Sequence, residues 1–402
     1  MGKLSFFTGQ PVFAQLLNFI PPHILSKLVA KHQANRYCKS FLTYDHLVTM
    51  LYQGFFQCLS LRELISGLQA NHEKLRHLGL KATPRRSTLA DANVRRSAAL
   101  FEDIFHDLYH HHFKFLPDSH PEKRLFIIDS TTVSLFSNIM HGAGSYKSDG
   151  RKKGGAKAHV MLDAHHNIPC FVRISEAKRH DLTFFSDVQV PENSIVVFDK
   201  AYLNHQQFNK WDLQGITWIT RQKNDSVYKI VLSRPVTTVS AWAGVRSDEI
   251  VILGRTSNKS QSPLVNARRI VFHDAAKQRE FCFITNDIDL EPEHIAALYK
   301  QRWQIELLFK RIKQRYPLRY FLGDTENAIR IQIWSALICD LLVQVVNKHV
   351  ITKSKKMWSY ANLASIIKHH LMTYINVWKF LANPEKALLN YKEPIIYKGT
   401  LF

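Results

Sequence analysis

Leu125-Phe126-Ile127-Ile128-Asp129-Ser130-Thr131-Thr132 decides the fold. Four apolar residues in a row, too few for a helix and without polar alternation, describe a strand buried on both faces at the centre of a sheet. The acid that follows stands at the strand's C-terminal end, where an unpaired carboxylate is costly. The same pattern returns downstream, where Ser194-Ile195-Val196-Val197-Phe198 runs into Asp199-Lys200-Ala201-Tyr202. Between them, Ala158–Asp163 and Ile168–Ile174, joined by a turn at His166-Asn167, complete an antiparallel meander with the first strand. Ile216–Thr220 is a further strand, reached through a helical stretch from Asn204 to Leu213. Three strands and then a strand–helix–strand crossover predict a mixed α/β sheet with helices on its faces.

Outward from this core the texture changes twice. Residues 225–287 hold four strand-like runs, Val227–Leu232, Glu249–Leu253, Arg269–Phe272 and Phe281–Ile284, separated by Ser/Gly/Pro/Asn-rich turns. They read as an all-β insertion. Residues 1–118 read as a helical N-terminal domain: Tyr44–Tyr52 has helical apolar spacing, and Ser60-Leu61-Arg62-Glu63 carries the capping-box pattern. Short helices around the basic Thr83–Thr88 turn fit a DNA-binding module or a plain helical scaffold. Helices resume at Glu291-Pro292-Glu293, an acidic start suited to the helix dipole. The catalytic unit is placed at 119–330 and a C-terminal helical region at 331–402.

Charge is the strongest bulk signal. The 402 residues carry 54 Lys and Arg against 33 Asp and Glu, a net charge of +21. Such a surface attracts a polyanion, nucleic acid first; a generally basic protein is the plainer reading. No run is read as reaching the ~18 apolar residues of a membrane span, and the N-terminus lacks a secretion-signal layout, so a cytoplasmic, nucleoid-associated protein with no membrane partner is expected. The five cysteines are scattered singly, which argues against a disulfide framework or a zinc site. His110-His111-His112 reads as a solvated helix end, because neighbours on a helix point about 100° apart.

A third carboxylate lies in Tyr299-Lys300-Gln301-Arg302-Trp303-Gln304-Ile305-Glu306-Leu307-Leu308-Phe309-Lys310-Arg311-Ile312-Lys313. Laid on one helix at about 100° per residue, Tyr299, Arg302, Glu306, Lys310 and Lys313 share an arc of about 80°. Ile305, Leu308, Phe309 and Ile312 form the opposite, core-facing stripe. The polar stripe is either a spaced, solvated charge face or a lone acid set among cations, as beside bound phosphate. Each strand-end Asp likewise reads either as the cap of a turn or as half of a pair converging at one sheet edge, a donor set suited to a hard cation such as Mg²⁺. Arg221 and Lys223 add cations near the Asp199 edge.

Together Asp129-Ser130-Thr131, Asp199-Lys200-Ala201-Tyr202 and Tyr299-x2-Arg302-x3-Glu306-x6-Lys313 resemble the acidic triad and Y-R-E-K signature of DDE transposases of the insertion-sequence-four type. The resemblance spans roughly residues 120–345, and Lys200-Ala201 departs from the Arg-Gly that is commoner there. It implies a ribonuclease-H-like core in which Asp129, Asp199 and Glu306 are catalytic and hold two Mg²⁺ ions, with Mn²⁺ as a substitute. Tyr299, Arg302, Lys310 and Lys313 are then phosphate contacts, Trp303 stacks on an extruded base or is a half-buried core residue, and Tyr202 contacts DNA near Asp199 or packs. The implied partners are the terminal inverted repeats and target DNA, with a dimer in the DNA complex. Lys152 and Lys153, in a Gly-rich loop with Lys147, Arg151 and Lys157, track DNA backbone or form a solvated turn. Asp163 reads as a turn residue, and His180-Asp181 as neighbours of the site rather than an HD-type metal pair. Two other functions stay open: a metal-dependent nuclease without strand transfer, and a catalytically silent DNA-binding protein.

Overall fold

The Leu125–Ile128 run is central because it finds a partner on each side. In the computed structural model, which describes residues 9–114, 123–134, 155–176, 185, 188–254, 263–316, 318, 320–354 and 356–389, strand β1 (Leu125–Ser134) pairs antiparallel with β2 (Gly155–Asp163) and parallel with β4 (Ile195–Phe198). The strand does not stop at Asp129: Asp129–Ser134 pairs with Val160–Gly155, so a polar stretch that reads as a loop is held extended by its partner. β3 (Ile168–Glu176) completes the meander, and β5 (Thr217–Arg221) lies parallel to β4. β1, β4 and β5 run together and β2 runs against them, the mixed sheet that the strand pattern predicts.

The insertion is not a separate block. β6 (Tyr228–Arg234), β7 (Val245–Leu253), β8 (Val265–Asp274) and β9 (Arg279–Thr285) continue the same nine-stranded sheet, in the order β3-β2-β1-β4-β5-β9-β8-β7-β6. Its seam is the antiparallel pairing of β5 with β9. Nor is it wholly β, since a short helix occupies Thr238–Ala243. Sequence patterning gives each strand but not its partner, and the β5–β9 pairing joins residues far apart in the chain.

Alternation along the strands sorts side chains onto two covered faces. Phe126, Ile128, Val196, Phe198 and Trp218 pack with Tyr202, Phe208 and Trp211, the last two from the His205–Leu213 helix. Ile195, Val197 and Ile219 pack on the other face with Ile295, Ala296 and Tyr299 of the Pro292–Lys300 helix.

Contacts divide the chain into two compact units, Leu116–Gln314, and Met1–Phe115 together with Arg315–Phe402. The N- and C-terminal helical segments therefore belong to one unit. Its spine is the 29-residue helix Glu326–Ser354. That helix corrects the expectation that no segment is long and apolar enough to cross a membrane; 94% of its most apolar window is buried inside the structure. Trp334 packs on Phe105 at 5.5 Å, and a Cβ at Gly54 would stand 2.8 Å from Cys339 Sγ, so the Thr43–Phe56 helix approaches through a glycine. Asp340, buried amid these apolar residues, accepts from the Tyr360 hydroxyl at 2.5 Å, which supplies the partner that burial demands.

Candidate active site

The register of the central strands places the two aspartates. The last parallel pair between β1 and β4 is Ile128↔Phe198, so Asp129 and Asp199 are the next residues of neighbouring strands. The backbone of Asp199 is still extended, at φ −73° and ψ 152°. Strands in a sheet stand about 4.8 Å apart, and in-register residues share a face. Both aspartates therefore leave the sheet on the face that carries Tyr299, opposite Phe198 and Ile128.

Each carboxylate is tied on both oxygens. Asp129 Oδ1 accepts from the Ser130 N–H at 2.7 Å, and Oδ2 from Arg302 Nη1 at 2.8 Å. Asp199 Oδ1 caps the tight turn Lys200–Tyr202 by accepting from the Ala201 N–H at 3.1 Å, and Oδ2 accepts from Arg221 Nη2 at 2.9 Å. Arg221 ends β5, the strand beside β4, so the cation near the Asp199 edge is where the sequence reading placed it. Arg302 also donates from Nη2 to Glu306 Oε1 at 2.5 Å and so bridges the first and third acids.

Burial pushes the Asp129 carboxyl up to about 6, and the charges of Asp199 and Glu306 push the same way. The Ser130 N–H and the Arg302 guanidinium pull it down without offsetting burial. Three acids separated widely in sequence thus act on one another across one site. Among the described residues no three His, Cys, Asp or Glu stand grouped as a ready-made metal cluster. The donor set nonetheless suits a hard divalent cation: carboxylate oxygens, one of them raised toward neutrality by its neighbours, with guanidinium groups occupying the places that cationic charge would take.

The helix carrying Glu306 departs from the single wheel expected. The Pro292–Lys300 helix ends, and a second helix runs Trp303–Arg315. Between them Arg302 N bonds to Tyr299 O at 3.0 Å and Gln304 N to Gln301 O at 2.9 Å, tighter i→i+3 bonds that change the helical phase. No glycine or proline marks this break. Ile305, Leu308 and Ile312 are buried, as their spacing predicts, while Phe309 is only half-buried.

The residues read as phosphate or base contacts have the following partners in this structure. Arg302 holds carboxylates. Lys313 Nζ donates to Thr131 Oγ1 at 2.6 Å and to the Thr132 carbonyl at 3.0 Å, pinning the helix to β1 two residues past Asp129. Tyr299 is largely buried against Phe283, at 5.0 Å, and under Arg221, at 5.7 Å. Burial raises its hydroxyl above the ordinary phenol range against the pull of the adjoining Arg221 guanidinium. Tyr202 is 1% exposed and stacks on Phe185, so packing takes it out of reach of DNA. Trp303 is 58% exposed and Lys310 is exposed. Asp163 makes the expected turn, accepting from the His165 and His166 N–H groups. Lys152, Lys153, Lys147, Arg151 and the His180-Asp181 pair lie outside the described residues.

A cleft of about 1270 Å³ opens from Arg221, Tyr299, Arg302 and Trp303 toward the strands of the insertion. Arg246, Lys277, Arg279 and Lys300 line it with Trp242 and Phe281. Sequence reading passed over the insertion residues among these; the available signal was cations and two aromatic residues, Trp242 and Phe281, in a segment read only for its strands.

Against this geometry stand the comparisons with known proteins. The family model for the transposase DDE domain matches residues 120–342, and one for a domain of unknown function (DUF4372) matches residues 8–81. A putative transposase of Sinorhizobium fredii is 30% identical over 65% of this chain and 72% of its own length. A putative transposase for an insertion sequence element of Synechocystis is 28% identical over 65% of this chain and 71% of its own. Among solved structures, a piggyBac transposase synaptic complex with hairpin DNA aligns at 10% identity and a TM-score of 0.45, over 98% of this chain and 87% of that one.

Proposed function

The chain belongs to the family of transposases with a DDE domain, and from that premise we propose that Asp129, Asp199 and Glu306 are its catalytic acids, cutting and rejoining DNA at the ends of an insertion sequence. One observation carries the assignment of residues. Ile128↔Phe198 is the last parallel pair, so two acids stand side by side on one face, and Arg302 links the first of them to Glu306.

Divalent metal dependence belongs to the family; the ions proposed are two Mg²⁺, replaceable by Mn²⁺, held by Asp129, Asp199 and Glu306. Such ions supply Lewis-acid activation of an attacking water or 3′-hydroxyl and stabilise the departing oxygen. The protein's own groups do the rest. The peptide N–H groups of Ser130 and Ala201 hold one oxygen of each aspartate and fix its direction. Arg302 and Arg221 pair with the acids here; were ions to take over that charge, these guanidinium forks would be free for the phosphates flanking the scissile bond. Tyr299, buried under Arg221, steadies that guanidinium where it faces the phosphates. Lys313 keeps Glu306 over β1, and Lys310 and the cations of the cleft follow the DNA backbone. Exposed Trp303 offers a stacking surface. The DNA partners are the terminal inverted repeats and a target duplex. Joining both ends of an element calls for two active sites, hence a dimer on DNA.

The test is incubation of the full chain with DNA carrying its element's ends and a target duplex, with and without Mg²⁺. Asp129→Asn and Glu306→Gln are expected to abolish cutting and joining while binding survives, because cationic contacts do the positioning. Undiminished cutting by either variant removes that residue from the site. Ends that are cut but never joined to the target mark a nuclease instead.

A further inference from the structure

Behind the acids, on the opposite face of the sheet, lies a buried polar row in otherwise apolar surroundings. His159 of β2 is 2% exposed and is in register with Ser130 of β1, so its ring lies on the face away from Asp129. The ring reaches both ways: Nε2 stands 3.3 Å from Ser175 Oγ on β3, and Nδ1 stands 3.4 Å from the Tyr202 hydroxyl. A neutral imidazole satisfies both neighbours, one nitrogen accepting and the other donating. Polar groups this deep cost free energy unless paired, so the row holds its members in fixed orientation.

Tyr202 matters because of the turn it ends. Its N–H donates to the Asp199 carbonyl at 3.0 Å, and the Ala201 N–H donates to Asp199 Oδ1 at 3.1 Å. The direction of the Asp199 carboxylate is therefore set by a turn whose last side chain is anchored behind the sheet. β2 and β4 are two strands apart, about 10 Å. An imidazole and a phenol together span that gap, on the face that Ser130 shares with His159.

We propose that Ser175, His159 and Tyr202 form a positioning brace that aims Asp199, with His159 and Tyr202 as positioning residues for the transposition reaction. The inference rests on the reading of Asp199 as a metal ligand. The test uses the full chain, Mn²⁺ titrated alone by calorimetry, and single-turnover cleavage of element-end DNA. Tyr202→Phe keeps the ring against Phe185 and removes only the hydroxyl; His159→Gln keeps polar groups where His159→Ala removes them. Tyr202→Phe and His159→Ala are each expected to weaken Mn²⁺ binding by about tenfold or more, the usual range for groups that orient a ligand. The double variant falls no further than either single one, His159→Gln recovers most of the loss, and Tyr202→Phe still melts cooperatively, lowered only by the one His159 nitrogen it leaves without that partner. If His159→Ala does not fold, Tyr202→Phe and His159→Gln decide. Asp199→Asn separates the two readings. Wild-type Mn²⁺ affinity in Asp199→Asn ends the assignment of Asp199 as a ligand. Loss in Asp199→Asn beside undiminished affinity in Tyr202→Phe overturns the brace alone.

Discussion

β4 and β6 belong to one sheet and are both built on valine and isoleucine, yet all four residues of β4 are buried while Lys229–Ser233 of β6 are exposed. Their apolar stretches, Ile195-Val196-Val197 and Ile230-Val231-Leu232, do not separate them; position does. β4 has β1 and β5 on its flanks and helices over both faces, whereas β6 is one edge of the sheet, paired among the described residues only with β7. A register irregularity between Ile230 and Leu232, together with Lys229 and Arg234, blunts that edge against further pairing. A carboxylate at the end of β4 therefore emerges from a rigid, fully covered strand. One at the end of β6 would emerge from the sheet's most exposed margin, which explains why the acids cluster where they do.

That contrast can be tested step by step. The largest effect is expected from Val197→Asp, which puts an unpaired charge into the fully buried centre of β4 at a cost on the order of 5 kcal/mol. Loss of soluble, cooperatively melting protein is the outcome; a folded variant would mean that β4 is less enclosed than its packing indicates. Trp211→Ala comes next. Its ring lies 5.1 Å from Phe185 and 5.7 Å from Phe198, and removing it should cost about 3–5 kcal/mol in urea unfolding. Smaller again is a pH effect at Asp129. Its folded pKa of about 6 lies above the ordinary value of 3.8, so the native state binds the proton more tightly than the unfolded chain. Stability from this group is present at low pH and is lost as pH rises from about 4 to about 6, on the order of 2 kcal/mol. Metal-free wild-type protein should lose stability relative to Asp129→Asn across that window and run parallel above it; parallel curves throughout would show that the carboxyl is well solvated. The smallest effect belongs to Val231→Lys on β6, expected within about 0.5 kcal/mol of wild type.

The same contrast explains what the sequence made legible. Central strands announce themselves because burial on both faces leaves an unbroken apolar run, and the acids follow those runs directly. The second half of β1 was hidden, since Asp129-Ser130-Thr131-Thr132 is extended only through pairing with β2. The phase change at Gln301-Arg302 was hidden because neither residue breaks helices by propensity; local i→i+3 bonds make the turn. That Arg302 lies between Asp129 and Glu306 was hidden too, since a helical stripe cannot say which anions it meets. Tyr202 and His159 needed the third dimension, because their meeting crosses strands that patterning describes one at a time. The cations of the cleft were visible as residues but not as a surface, since β7, β8 and β9 gather them only once paired.

The seam between β5 and β9 has a consequence for how such a chain can vary. Arg221 pairs with Phe283, so the polypeptide departs from the core and comes home along the same line. Everything between is an excursion whose length is uncoupled from the spacing of the three acids. It can be lengthened or trimmed at its outer turns, remodelling the cleft wall it supplies, while Val251, Val265 and Ile270, which pack into the core, leave Asp129, Asp199 and Glu306 in place.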